Sequence, residues 1–250
     1  MKAKMFVIAV FIMVLIGAII ALAAPNAPTQ ADIVSSGRRN YTAGVGGVSI
    51  GAQAGNVTQL NIQDNRTTTH WQGYYGTVSG EITLDNGKND TLYNWVFANP
   101  KGEIYAANAS VVTWANITCV NLTGNGSLAD SPSRSKLNNT ILESVFNISD
   151  ADSDGINETF TAEFTGSLVI GSTTLTTTDY CPMAYMFVSN MSQSSTFKEV
   201  LLSDNLSSIW TGILESDQPG FDGTNMDFQM IVPENMAEGT SNYFFFVELS

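Results

Sequence analysis

The side chains in this 250-residue chain that could do chemistry are mainly its asparagines, two cysteines and a scatter of carboxylates. Thirteen of its 22 asparagines open an Asn-x-Ser/Thr triplet: Asn40, Asn56, Asn65, Asn89, Asn108, Asn116, Asn121, Asn125, Asn138, Asn147, Asn157, Asn190 and Asn205. Serine and threonine make up about a fifth of the chain, so chance would supply roughly four or five such triplets. A modified asparagine holds its sugar outside the fold, so this spread implies a coat on nearly every face. Cys119 and Cys181 lie 62 positions apart. In an oxidising compartment they are expected to pair, a bridge worth roughly 4 kcal/mol in the chain-entropy account. A glycosidase would need two carboxyl groups about 5 to 10 Å apart, and Glu81, Glu103 and Glu163 cannot be paired from sequence. Catalysis is not expected.

The densest carboxylates run Asp150-Ala151-Asp152-Ser153-Asp154-Gly155-Ile156-Asn157-Glu158. Three aspartates at alternate positions before a glycine resemble the calcium loops of the EF-hand, dockerin and thrombospondin repeats. There, carboxylates meet a hard cation and the glycine makes the turn. Position twelve of an EF-hand is Glu, and here it is Thr161; Glu158 at position nine fits the shorter repeats. The resemblance implies calcium at Asp150, Asp152, Asp154 and Glu158, and the alternative is a plain acidic turn. Gly47-Val48-Ser49-Ile50-Gly51 matches the G-x-S-x-G of a hydrolase nucleophile elbow. An elbow requires a preceding strand, a following helix and a later acid and histidine. The single histidine, His70, comes 21 residues later, and small residues surround the serine, so the match reads as chance. No zinc-type spacing and no repeat of 20 to 50 residues accompanies it.

The chain opens with two lysines and an apolar run over residues 5–24, and Ala21-Leu22-Ala23 offers the small-x-small pattern of a cleavage site. Residues 1–23 are expected to be an export signal, or, since twenty apolar residues span a bilayer, a retained membrane anchor. Once the two leader lysines are removed, 8 basic side chains face 23 acidic ones, a net charge of −15. Such a surface repels nucleic acid phosphates.

The elements expected to position these groups are mostly strands. A Gly-rich arm over 24–62 precedes a β domain over 63–250, and any division into two sub-domains falls within 124–150. Residues 70–122 read as a meander of four antiparallel strands with turns at 85–89 and 99–102. If 111–120 is extended, alternation turns Asn116 and Thr118 outward, with Val111, Ala115, Ile117 and Cys119 inward. The same argument sends Cys181, Met183, Tyr185 and Phe187 inward. A helix is expected over 134–146 behind Ser133, with Leu137, Ile141, Leu142 and Val145 on its inner face. From Thr159 onward the pattern is strand again, ending in a hairpin joined by 233–239. The fold class is all-β: an antiparallel sandwich, immunoglobulin-like or jelly-roll-like, with one short helix besides the leader.

In its leader, its sequons and its β pattern, the mature chain resembles the secreted β-sandwich glycoproteins of archaeal cell surfaces, including subunits of surface fibres and surface layers. The resemblance is one of style and fixes no functional residue. It implies a structural or interaction protein that assembles with itself or with other envelope proteins. The Gly-rich arm, notably 43–55, and the aromatic strand Phe244-Phe245-Phe246-Val247 would supply strand addition between subunits. The alternative is a carbohydrate-binding module, with Trp71, Tyr75 and Trp95 or Trp114 stacking on sugar and calcium fixing a loop.

Overall fold

The computed structural model describes residues 27–37, 53–54, 56–57, 59–61, 67–96, 99–122, 137–149, 151–189, 192–235 and 241–249. The leader, the Gly47 to Gly51 motif, Ser133, Asp150 and the sequons at Asn40, Asn65, Asn125 and Asn190 lie outside them. Sixteen strands are described: β1 (Thr29–Gln30), β2 (Trp71–Gly76), β3 (Glu81–Asp85), β4 (Thr91–Val96), β5 (Gly102–Ala107), β6 (Thr118–Cys119), β7 (Ala162–Glu163), β8 (Leu168–Ile170), β9 (Thr173–Leu175), β10 (Pro182–Val188), β11 (Ser192–Ser203), β12 (Ser208–Ile213), β13 (Gln218–Pro219), β14 (Asn225–Met226), β15 (Phe228–Pro233) and β16 (Phe244–Leu249). The fold is mostly β, with antiparallel sheets and two short helices, α1 (Asn139–Phe146) and α2 (Ile156–Thr159), where the sequence led us to expect one.

Eight strands form the main sheet, in the order β1-β16-β5-β12-β11-β10-β7, with β6 also paired to β11. Successive residues of a strand point to opposite faces, and here both faces are apolar. Ile104, Ala106, Leu201 and Trp210 point to one, while Tyr105, Ala107, Leu202 and Ile209 point to the other. The first face is covered by the β2–β15 ribbon through Phe228, Met230 and Val232, and by Leu142, Phe146, Ile156 and Phe160 of the helical region. The second is covered by the β8–β9 hairpin through Leu168, Ile170 and Leu175, together with Val112 and Ile117. Trp210 is wholly buried at the middle of the first core, edge-on to Trp71 at 5.7 Å. Truncating such a ring typically costs about 3–5 kcal/mol.

Strand pairing departs from the expected meander. Of the strands in 70–122, only β3 and β4 pair with each other. β2 pairs with β15, and β5 lies between β12 and β16. The closing hairpin is absent for the same reason: β15 and β16 belong to different sheets. Each of these strands finds a better-buried partner far along the chain than its neighbour in sequence.

Three local expectations also change. Helix α1 begins at Asn139 and is capped by Asn138, whose Oδ1 accepts the Ile141 N–H at 3.0 Å. Its buried residues are Asn139, Leu142, Glu143 and Phe146, leaving Ile141 and Val145 exposed. Large Phe146 sets the rotation of the helix. Within 111–120, Trp114–Asn116 form a 3-10 turn and only Thr118–Cys119 is strand, so Val111 is exposed and Val112 buried. Asp204 pins that turn by accepting the Thr113 N–H at 3.1 Å. In β10 an irregularity between Tyr185 and Phe187 leaves Phe187 exposed, while Cys181 and Met183 face inward as expected.

Candidate functional site

Cys119 and Cys181 are joined by a disulfide, each 1% exposed, with Cα atoms 4.8 Å apart. Cys119 lies opposite Leu202 of β11, whereas β10 reaches only as far as Met183 opposite Val200. The bridge therefore joins the two chain segments that share one side of β11.

The strand singled out for assembly, β16, lies beside β5 over its full length, from Phe244 opposite Ala107 to Leu249 opposite Gly102. Gly102 has φ +122°, and a Cβ there would meet the Glu248 carbonyl at 2.1 Å, so only glycine allows this approach. The other side of β16 is covered by β1, from the N-terminal segment. β1 pairs only Thr29 with Val247 and Gln30 with Phe246, and the Ala31 N–H adds one bond to the Phe245 carbonyl at 2.9 Å. The stretch 43–55 lies outside the described residues except for 53–54, and the described cover comes from residues 29–31. Beyond them Ile33 and Val34 are exposed, and a cavity of about 260 Å³ opens between Gln30, Ile33, Ser110, Tyr243 and Phe244.

Two carboxylates meet at the far end of this strand pair, where Glu103 and Glu248 are direct cross-strand partners. Like charges in that position oppose pairing. Burial, and then the neighbouring Glu248, push the Glu103 carboxyl up to about 7. Burial also raises Glu248, although the Gly171 N–H, at 3.2 Å from Oε1, and the Tyr105 hydroxyl, at 3.4 Å from Oε2, favour its charged form. The three carboxylates considered for a glycosidase fall on different strands: Glu81 on β3, Glu103 on β5 and Glu163 on β7.

The described part of the acidic loop is tied to the segment before β2. Asp152 Oδ2 accepts the Ser149 N–H at 2.8 Å and lies 3.5 Å from His70 Nε2. Asp154 accepts the Thr68 hydroxyl, and its carbonyl takes the Trp71 indole N–H at 2.6 Å. Gly155 then caps α2, which carries Asn157 and Glu158. Among the described residues, no three acidic, histidine or cysteine side chains converge as a metal site.

The four aromatic residues of the sugar-binding alternative have different packing partners. Trp71 packs on the first core, while Trp114 sits against Tyr105 and Phe246 on the second. Tyr75 packs against Phe221, and Trp95 lies on the β3–β4 hairpin beside Tyr93. Of the described sequons, Asn56, Asn89, Asn108, Asn116 and Asn147 are exposed, and Asn121, Asn138, Asn157 and Asn205 are half-buried. No family model, curated protein or solved structure matches the chain.

Proposed function

We propose that this chain is an extracellular, cell-surface structural glycoprotein with a β-sandwich fold, which assembles with copies of itself by strand addition at β16. The observation that carries the reading is the thin cover on that strand: a six-residue, largely aromatic strand protected on one side by two residues of an N-terminal segment. An edge of this kind is a template for another strand. Exchanging the short β1 for the same segment of a neighbour repeats contacts already compatible with the fold, and such a head-to-tail exchange propagates unless rotation closes it. The leader, the excess of sequons and the Cys119–Cys181 disulfide support an exported, oxidising setting. The β2–β15 ribbon lying against β11 and β12 supports the sandwich.

The test compares the exported chain with one starting at Asp32, which lacks β1. Light scattering and electron microscopy should find polymers of the first and folded monomers of the second. Polymers of both, or monomers of both at hundreds of micromolar, would remove strand addition.

A further inference from the structure

The β3–β4 hairpin stands apart from every other sheet of the described residues, and each of its strand residues is exposed. Its two faces differ in the number of apolar side chains they carry. Ile82 lies opposite Trp95 and Leu84 opposite Tyr93, so these four side chains share one face. They are 55%, 52%, 50% and 59% exposed, respectively. The other face carries Val96, 70% exposed opposite Glu81, but is otherwise polar there: Asn94 donates to Glu81 at 2.6 Å, and the Thr83 hydroxyl to Asp85 at 2.8 Å. A two-stranded hairpin is marginal in water unless its apolar face is packed. Exposed apolar surface of this extent marks an interaction site.

We infer that this face is a second self-contact, in which the hairpins of two copies pack face to face about a two-fold axis running along the hairpin. That axis places the aromatic row of β4 over the aliphatic row of the other copy's β3, Trp95 on Ile82 and Tyr93 on Leu84. Aromatic rings then meet aliphatic side chains instead of their own kind. The area is adequate. Four half-exposed side chains offer on the order of 500 Å² per copy, and two faces together reach the roughly 1,000 Å² expected of a specific interface. Tip-first insertion into a lipid bilayer is opposed by the polar turn residues Asp85, Asn86, Lys88, Asn89 and Asp90. Flat stacking on sugar is opposed by the 62° angle between the Tyr93 and Trp95 rings. This contact is separate from β16, and being two-fold it closes at the dimer.

The test uses the full chain carrying Ile82→Ser and Trp95→Ser, with Thr83→Ala and Asn94→Ala on the opposite face as control. An Ala31→Pro variant, which lacks the N–H donated to Phe245, reports separately on strand addition. Sedimentation should show the apolar-face variant weakened in pairwise association at least about 30-fold, as for loss of an interface hot spot. The control should match wild type in association, and all should keep a cooperative urea transition. If the apolar-face variant associates as wild type does while Ala31→Pro does not, the hairpin contact is wrong and strand addition stands. If wild type is monomeric and the apolar-face variant unfolds at lower urea, the face is covered by the chain itself and the inference falls. It falls equally if only wild type, as a monomer, is retained on insoluble polysaccharide.

Discussion

Glu199 is fully buried on β11, facing the β2–β15 ribbon, where one carboxyl oxygen accepts the Ile231 N–H at 2.9 Å and the other has no hydrogen-bond partner among the described residues. Burial raises its carboxyl well above the ordinary range, and the Ile231 bond only partly offsets this. A carboxyl raised in the folded state favours folding when protonated. Its contribution is complete below the unfolded value, and stability is lost as pH rises through the folded one. Glu199→Gln keeps an acceptor for Ile231 and cannot ionise. The stability difference between wild type and this variant should therefore shift toward the variant by up to about 1.4 kcal/mol per pH unit above the ordinary carboxylate range. Urea midpoints at pH 4.5 and 7.5 measure it, and parallel behaviour of the two proteins would mean that water reaches the carboxylate. Nothing in Lys198-Glu199-Val200 signals this burial from sequence, because a charged pair entering a strand reads as solvated. By contrast, Cys119 and Cys181 were legible, since a secreted pair of thiols and the alternation around each depend only on near neighbours.

Among the elements, β11 is the organiser, bordered by β12 on one side and by β10 and β6 on the other. β6 is two residues long, and the disulfide is its covalent tie to the start of β10. Replacing both cysteines by alanine should lower unfolding free energy by as much as about 4 kcal/mol, the value for closing a loop of 62 residues. Chemical denaturation would measure this, and an unchanged midpoint would show that β6 is held by packing alone. Strand existence was largely readable here, because Phe, Tyr, Ile and Val mark the runs that became β2, β5, β12, β15 and β16. Partner choice was not. β2 and β15 meet only because the first core needs a cover, a requirement that no local window contains. β1 was invisible for a related reason: Thr29-Gln30 has no apolar signature and is strand only because β16 supplies the ladder.

For the molecule as a whole, the perturbed carboxyls divide by sign. Glu103, Glu199 and Glu248 are raised, so the stability they give is full below the ordinary carboxylate range and declines as pH rises, for Glu103 through about 7. Asp204 is lowered: burial opposes this, but the N–H groups of Ser207, Thr113 and Leu206 outweigh it. Asp85 is lowered by the Thr91 and Thr83 hydroxyls. These two give stability that is lost as pH falls through their folded values. Melting temperature should peak at about pH 4 to 6 and decline toward pH 8; calorimetry showing a flat or rising profile over that range would overturn the assignment. The exposure of the aromatic hairpin β3–β4 was not legible, because a strand apolar on one phase looks the same from sequence whether that face is covered or open. The pairing of early strands with late ones also governs time. β2 has no partner until residues 228–233 exist, and β1 none until 246–247 do, so a growing chain stays open until almost all of it has been made. Half-buried Asn121 and Asn138, hard to reach in the finished fold, are open to a modifying enzyme throughout that interval.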